Sequence, residues 1–228
     1  GFRPEMVLPS YGLAEATVIE MVHADTPLAT KTLAYALAEL RTQMLASSDT
    51  VDASEPSISF AADAGNYGDG HLVLSVLNGR DVVYIGARNG RRPLGLAFNV
   101  GMRLPAHLAA TGRAMLAHRP PSAVRELFDG AELAMMNGRG PRSVDELLDE
   151  LARTRQRGHS VDDEGVRAGV YCIGAPVFDA AGQPVAGIGV CIHKTTLGTD
   201  GGAVHRDTVL QAARTLTQRL GGRHPVAA

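Results

Sequence analysis

Residues 170–194, VYCIGAPVFDAAGQPVAGIGVCIHK, contain two strand-like runs separated by the turn sequence AAGQP. Both runs are rich in apolar and β-branched residues, and Gly182 lies in the turn, so the runs are predicted to be neighbouring strands of one antiparallel sheet. Glycine recurs inside the strands at Gly174, Gly187 and Gly189. Glycine weakens a strand unless a backbone or a ligand must approach closely. We interpret these glycines as room for a ligand.

The two cysteines of the chain lie one on each predicted strand. Side chains alternate along a strand, so Cys172 shares a face with Gly174, and Cys191 shares a face with Gly189. Both cysteines are therefore expected to line one cavity. Because no secretion signal precedes them, they are predicted to be reduced thiols, although the pair could form a disulfide if the geometry allowed. The commonest role of such cysteines is that of a small buried hydrophobe.

Metal binding and cysteine catalysis are the two alternative roles for these residues. A metal site would need further ligands, for which His193 and Asp162 are the nearest candidates, and the sequence has no CxxC or HxxxH spacing. A nucleophilic cysteine would need a paired base, and none of His107, His159 or His193 is placed by sequence to serve. We therefore expect no metal, no cofactor and no enzymatic activity.

An acidic run, residues 162–164, precedes the first of these strands. Such a run is usually a solvated loop face. Here it follows a predicted helix end and leads into the strand that carries Cys172. One carboxylate is therefore expected at the mouth of the pocket, and Asp162 is the candidate.

The rest of the chain supplies more strands and several helices. Residues 71–88, HLVLSVLNGRDVVYIGAR, predict a hairpin with a type I′ turn at Asn78-Gly79, and residues 94–101 predict a third strand. Helical periodicity and capping signals predict four helices, at 28–45, 105–119, 143–158 and 206–222. The second begins at Pro105, and the third has Ser143 and Glu146 as a capping box. The residues of the fourth that are predicted to face inward are Val209, Ala212, Ala213, Leu216 and Leu220. The sum is an α+β domain with a mostly antiparallel sheet.

Composition limits the possible partners. The formal net charge is -2, which provides no general attraction to the phosphate backbone of DNA. No run of about 20 apolar residues and no cleavable signal is present, so we expect a cytoplasmic protein that does not bind membranes.

Three segments in order, VGMRLPAHLAATGRAMLA, RQRGHSVDDEGVRAGVYCIGAPVFDAAGQPVAGIGVCIHK and LTQRLGG, resemble the C-terminal effector-binding domain of the IclR family of bacterial transcriptional regulators. The resemblance implies a GAF-like fold, an antiparallel sheet flanked by helices that encloses a small-molecule pocket. It further implies a small metabolite as ligand, often a carboxylate or an aromatic acid, and assembly into homodimers or homotetramers.

The resemblance also implies which residues contact the ligand. The family's acidic contact falls on Asp162, and its apolar wall and cysteine fall on Val170 and Cys172. Two contacts that are commonly small hydroxyl residues fall on Gly189 and Cys191, neither of which has a hydroxyl. A bound carboxylate would then be held by backbone N–H groups, or the ligand would be less polar. The pocket-lining turn of the preceding helix corresponds to three residues, Ala110, Thr111 and Gly112.

These observations divide the chain into three parts. Residues 28–222 are expected to form the effector-binding domain, with a long insertion at 46–70, between a leader at 1–27 and a tail at 223–228. The leader, GFRPEMVLPSYGLAEATVIE in its first 20 residues, resembles the adenine-binding motif of fatty acyl-AMP ligases, in which Tyr11 would stack on adenine and Glu15 would reach the metal. The phosphate loop and ribose-binding motif of those enzymes are missing.

The favoured function is effector sensing for a transcriptional regulator, with DNA bound only through a helix-turn-helix domain that we do not find in this chain. Two alternatives remain at this stage. One is an enzyme or enzyme relic, either a hydrolase that uses Cys172 or an adenylating fragment that uses Glu15. The other is an interaction module without its own helix-turn-helix.

Overall fold

A six-stranded antiparallel sheet and four helices make up the part of the chain described by the computed structural model, residues 70–88, 94 and 101–225. The elements in chain order are β1 His71–Asn78, β2 Asp81–Arg88, β3 Arg103–Pro105, α1 Ala110–Leu116, α2 Pro121–Leu127, α3 Val144–Arg157, β4 Ser160–Asp163, β5 Val170–Phe178, β6 Pro184–His193, a short 3₁₀ turn Lys194–Thr196, and α4 Ala203–Arg219. The strand order is β3-β2-β1-β6-β5-β4. The α+β prediction is confirmed. Within the described ranges, every helix is too short or too polar to span a bilayer.

The hairpin of β5 and β6 is formed as predicted. The strands pair from Val170↔His193 to Phe178↔Pro184. Asp179 organises the turn between them, because its Oδ1 accepts hydrogen bonds from the backbone N–H groups of Ala181 at 2.9 Å and Gln183 at 2.8 Å. Gly182 follows in this turn at a φ of 73°.

The hairpin of β1 and β2 is confirmed, whereas its predicted turn type is wrong. Asn78 pairs with Asp81, so the two turn residues are Gly79 and Arg80. Only Gly79 has a positive φ, at 58°, whereas a type I′ turn requires positive φ at both central residues. The register places Gly79 at the first central position of the turn, one position earlier than the Asn-Gly signal suggests.

The helix α3 follows its capping signals. Ser143 Oγ accepts a hydrogen bond from Glu146 N–H at 3.2 Å, and Gly158 ends the helix at a φ of 76°. The Glu146 carboxylate accepts from Arg142 N–H at 2.8 Å, one residue before the N-cap. The capping box is therefore formed in a slightly extended version.

The predicted helix at 105–119 is shorter in the structure. Pro105 is the last residue of β3 and pairs with Asp81, so it belongs to the sheet, and the helix begins only at Ala110. The Pro105 carbonyl accepts hydrogen bonds from Leu108 N–H and Ala109 N–H, both at 3.0 Å, which makes a turn between β3 and α1. Tertiary pairing with β2 overrides the local preference of proline for a helix start.

The predicted C-terminal helix is shifted toward the N-terminus. It begins at Ala203 because Asp200 accepts hydrogen bonds from Gly202 N–H and Val204 N–H, at 3.1 and 3.2 Å. Of the residues predicted to face inward, Val209, Ala213 and Leu216 are buried, and Ala212 and Leu220 are partly buried. The helix predicted at 28–45, all of the insertion 46–70 except Gly70, and most of the strand predicted at 94–101 lie outside the described residues.

The sheet separates two apolar clusters. One face carries Val73, Tyr84, Cys172 and Cys191 and packs against α1, α2 and α3. The opposite face carries alternate residues of the same strands, among them Ile173 and Ile188, and packs against α4. A sheet covered on both faces explains why β5 and β6 are almost continuously apolar.

The Thr217 hydroxyl ties α4 to the end of β5, because Thr217 Oγ1 accepts a hydrogen bond from Phe178 N–H at 3.1 Å and is fully buried. Thr217→Val leaves that N–H buried without an acceptor. We expect the free energy of unfolding to fall by about 1–3 kcal/mol, measured by urea denaturation. Thr215→Val, which removes a hydroxyl bonded only within its own helix at Gln211, is the matched control, and an equal loss in both variants would contradict the assignment.

Candidate functional site

A small cavity lies between α1 and the sheet face that carries the two cysteines. The space inside it that the centre of a water molecule can reach is about 10 Å³. That is room for roughly one water molecule. The residues that line the cavity are Val73, Tyr84, Ala109, Ala110, Thr111, Asp162, Val166, Cys172, Ile173, Gly189 and Cys191.

The glycines of β5 and β6 allow α1 to lie directly on the sheet. A Cβ atom at Gly174 would stand 2.6 Å from the carbonyl carbon of Ala110. At Gly187 and Gly189 it would stand 2.8 and 2.9 Å from side-chain carbons of Thr111. The interpretation of these glycines as room for a ligand is therefore wrong for Gly174 and Gly187, whose space is taken by α1. Gly189 alone of the three also borders the cavity.

The two cysteines form a disulfide on the cavity floor, so the prediction of reduced thiols is wrong. Cys172 and Cys191 are paired directly across β5 and β6, with Cα atoms 4.1 Å apart. A close Cα separation of this kind is typical of the non-hydrogen-bonded positions of an antiparallel ladder. In this state neither sulfur can act as a nucleophile. A hydrolase that uses Cys172 would therefore lack its reacting group.

The disulfide belongs to a row of four side chains that crosses the sheet. Asp162 on β4 is opposite Cys172, and His71 on β1 is opposite Cys191. All four residues are buried, with exposed fractions of 6% or less. The row places a carboxyl group at one end of the disulfide and an imidazole at the other.

Asp162 is buried in the cavity wall, at 2% exposure, rather than at the mouth as predicted. Its Oδ1 accepts a hydrogen bond from Gly165 N–H at 2.7 Å, and its Oδ2 accepts one from Val166 N–H at 3.3 Å. Burial raises the pKa of the Asp162 carboxyl, although the positive charge of Arg113 and the two N–H donors act in the opposite direction. Asp162 therefore anchors the loop that follows β4 as well as lining the cavity.

Glu164 fixes the same loop from outside. Its backbone has a φ of 64°, a left-handed conformation that few side chains adopt. Its carboxylate accepts a hydrogen bond from Gly169 N–H at 2.8 Å and pairs with Lys194 Nζ at 2.9 Å. Lys194 holds the pKa of the Glu164 carboxyl below its usual value, with help from Gly169 N–H. These bonds hold the loop, and with it Val166, against the cavity.

Two hydroxyl-bearing residues, Tyr84 and Thr111, line the cavity, and the sequence predicted only Thr111. Ser75 Oγ donates to Thr111 Oγ1 at 2.7 Å in a buried pair. Tyr84 is also buried, and its burial, together with the negative charge of Asp162, raises the pKa of its hydroxyl. Alternation along β1 was enough to place Ser75 on the face of Val73. A register irregularity between Leu74 and Ser75 sets the pairing of Tyr84, and no sequence signal marks it.

Most of the residues expected to contact a ligand come together here. Six of the eight line the cavity: Ala110, Thr111, Asp162, Cys172, Gly189 and Cys191. Gly112 does not, because it packs against the backbone of Ala106, and Val170 is buried in the core beside the cavity. The lining residues that were not expected are Val73, Tyr84, Ala109, Val166 and Ile173.

His107 and His159 each lie within hydrogen-bond distance of a backbone carbonyl group. His107 Nε2 is 3.0 Å from the Ala134 carbonyl oxygen, and His159 Nδ1 is 3.0 Å from that of Arg157. Burial lowers the pKa of both imidazoles. Among residues 70–88, 94 and 101–225, no three His, Cys, Asp or Glu side chains are grouped as metal ligands would be.

A helix-covered antiparallel sheet with a partly enclosed cavity defines a small-molecule-binding type of domain, and comparison with known proteins gives its family. A sequence model described as bacterial transcriptional regulator IclR C-terminal matches residues 68–218. The chain therefore belongs to the IclR family of transcriptional regulators, through their C-terminal domain.

Individual relatives agree with this assignment. The HTH-type transcriptional regulator BhcR of Paracoccus denitrificans is 29% identical over 144 residues, which cover 63% of this chain and 52% of BhcR. The crystal structure of the Agobacterium tumefaciens repressor BlcR has a TM-score of 0.65 and 30% identity, over 82% of this chain and 72% of BlcR. The chain spans about half the length of the curated relatives it matches.

The fold also recurs in a domain solved with a ligand. The inducer-binding domain of PobR from Acinetobacter, a double mutant in complex with 3-hydroxybenzoic acid, has a TM-score of 0.60 over 74% of this chain and 98% of that chain. Its sequence identity is 21%, so this likeness concerns the fold alone.

The contact between Gly174 and α1 can be tested by adding one methyl group. We expect Gly174→Ala to lower the free energy of unfolding by about 1–3 kcal/mol, because the new Cβ meets the backbone of Ala110, which cannot move alone. Gly198→Ala is the comparison, since its Cβ would meet the Asp200 carboxylate at 2.9 Å and no helix backbone, so any loss there comes from the start of α4 and not from α1. Equal urea midpoints for wild type and Gly174→Ala would show that α1 is not held this closely.

Proposed function

We propose that this domain senses a small-molecule effector for a bacterial transcriptional regulator, and that the cavity between α1 and the sheet is the effector site. The observation that carries the proposal is the combination of a mostly apolar, buried lining with a few converging polar groups, the Tyr84 and Thr111 hydroxyls and the Asp162 carboxyl. Ligand sites usually have this composition. Membership of the IclR family supports the same conclusion.

The cavity must enlarge before it can hold an organic acid, because its present space fits about one water molecule. We assign the movement to the loop 164–169, because its Val166 side chain is held by the bonds of Asp162 and Glu164 rather than by a helix or a strand. In this proposal the described structure is the closed state, because its cavity is too small for an organic acid. Effector binding displaces the loop, and the change reaches the DNA-contacting part through the neighbouring subunits.

The ligand class is a small carboxylate or an aromatic acid. The Tyr84 and Thr111 hydroxyls are donors for a carboxylate or a ring hydroxyl, and Val73, Ala110 and Val166 supply apolar wall. The complex of the PobR domain with 3-hydroxybenzoic acid supports an aromatic acid as one candidate. Assembly into homodimers or homotetramers, and DNA contact through a helix-turn-helix, are the remaining parts of the proposal, and the helix-turn-helix named in BhcR supports the latter.

The first experiment is a thermal-shift screen of the 228-residue chain with acetate, lactate, benzoate and 3-hydroxybenzoate. A ligand at 100 times its Kd stabilises the folded state by about 2.7 kcal/mol, which appears as a saturable rise in Tm. We expect Tyr84→Phe, which removes only the cavity hydroxyl, to weaken that rise. Tyr171→Phe is the matched control because Tyr171 lies on the other face of β5. Equal weakening by both variants would place the ligand elsewhere.

The affinity for a carboxylate bound beside Asp162 is expected to depend on pH. Two carboxylates in one site do not both stay ionised, so binding should take up a proton at the already raised pKa of Asp162. We expect the affinity for a bound acid to rise as the pH falls toward the raised pKa of Asp162, by at most about tenfold for each pH unit in which a full proton is taken up.

Calorimetry in buffers of different ionisation enthalpy counts that proton directly. Asp162→Asn keeps one acceptor oxygen for the loop and removes the titrating group, so its binding should be independent of pH over the same range. Proton uptake that persists in Asp162→Asn would assign the titration to another group.

A further inference from the structure

The disulfide joins two positions that the sheet already holds together. Cys172 and Cys191 are on consecutive strands, paired from Val170 to Phe178 and joined by a short turn. The strands are also held from outside, by β4 on one side and β1 on the other. The sequence separation of the two cysteines is 19 residues. The hairpin therefore keeps the two positions opposite each other through its own backbone pairing.

The same arrangement allows the bond to open and close without refolding. The two Cα atoms are 4.1 Å apart, and the backbone ladder that pairs them extends from Val170 to Phe178 on both sides of the bond. Both thiols of the reduced form therefore remain directly opposite each other on the cavity floor.

We propose that Cys172 and Cys191 form a reversible thiol–disulfide switch that sets the geometry of the cavity and makes the domain responsive to peroxide. Two thiols and one hydrogen peroxide give one disulfide and two water molecules. The two sulfurs lose two electrons to the O–O bond, and both thiol protons end in water. Hydrogen peroxide is little larger than the single water molecule that the cavity admits.

The order of the two oxidation steps follows from exposure. Cys172 is 6% exposed and Cys191 only 1%. Cys172 therefore attacks the peroxide first and becomes a sulfenic acid, releasing one water. Cys191 then attacks the Cys172 sulfur, and the disulfide forms as the second water leaves.

The redox state changes what the cavity floor offers to a ligand. A disulfide has no hydrogen-bond donor, whereas two thiols present two weak S–H donors that can turn toward a ligand. Breaking the bond also frees each sulfur to choose its own rotamer beneath Thr111 and Val166, and a cavity of about 10 Å³ is sensitive to such shifts. The reduced form is the one that binds a polar effector, a consequence that rests on the proposed function.

The linkage between the two events is reciprocal. If an effector binds the reduced form tenfold more tightly than the oxidised form, it favours reduction by the same factor. For a two-electron couple, that factor shifts the midpoint potential by about 30 mV.

Thiol counting tests the switch without any ligand. The chain has only 2 cysteines, so every thiol detected belongs to this pair. The folded protein is reduced with dithiothreitol, desalted, treated with hydrogen peroxide, and trapped with iodoacetamide for mass spectrometry. We expect two alkylated cysteines after reduction and none after peroxide, over repeated cycles. If dithiothreitol releases thiols only after unfolding in urea, the switch is overturned.

Variants separate the two oxidation steps. Cys191→Ser should hold Cys172 as a sulfenic acid, seen as one added oxygen in the intact mass, whereas Cys172→Ser should gain that oxygen more slowly at the same peroxide dose, as expected for the less exposed sulfur. Equal rates in the two variants would overturn the assigned order.

Amide hydrogen exchange tests the coupling to the cavity. Reduction should speed exchange in α1 and in the loop 164–169 by about threefold or more, as expected for local opening. Helix α4, on the opposite face of the sheet, is the internal control and should not change. Identical exchange of α1 and the loop in both redox states would overturn the coupling.

The affinities of the reduced and the oxidised protein for the acids of the thermal-shift panel test the direction of the coupling. An acid that binds the reduced protein at least about fivefold more tightly than the oxidised protein supports the direction proposed, and equal affinity overturns it. If no acid binds either form, the proposed effector function fails for that panel, while thiol counting and hydrogen exchange still decide the switch.

Discussion

The close approach of α1 to β5 and β6 is the contact on which the rest of the structure depends. Side chains at Gly174 and Gly187 would collide with Ala110 and Thr111, so the absence of Cβ atoms there allows the helix to lie on the sheet. That contact fixes Thr111 over the floor and Ala109 and Ala110 at the wall of the cavity. It also leaves little free space, because the glycines serve the helix more than a ligand.

The cavity is consequently small, and its polar groups are provided by several elements. The hydroxyls come from β2 and α1, and the carboxyl comes from β4. The loop after β4 covers the site and is held at two points, inside by Asp162 and outside by Glu164. Binding at a site covered in this way is coupled to movement of the loop, as the proposed sensing requires.

The direct opposition of Cys172 and Cys191 adds a chemical property to the same floor. Because the register of one hairpin sets their distance, the bond can respond to oxidant while the fold stays unchanged. The row from Asp162 to His71 brings this bond next to the one carboxyl of the cavity lining. Sensing of a metabolite and sensing of an oxidant would then act on one small volume.

The sequence by itself determined the elements whose signals are local. The hairpins at 71–88 and 170–194 and the helix after Ser143 have turn residues and caps that act on their own neighbours, and the α+β class follows from them. The resemblance to a known family further brought six of the cavity residues together. Only the tertiary structure decided that Pro105 pairs in the sheet instead of starting a helix, that α1 fills the glycine space, and that the cysteines are bonded. It also decided the place of Tyr84, through an irregular register, and the depth of Asp162. Each of these depends on contacts between residues far apart in the chain, and local propensity carries no information about which of them form.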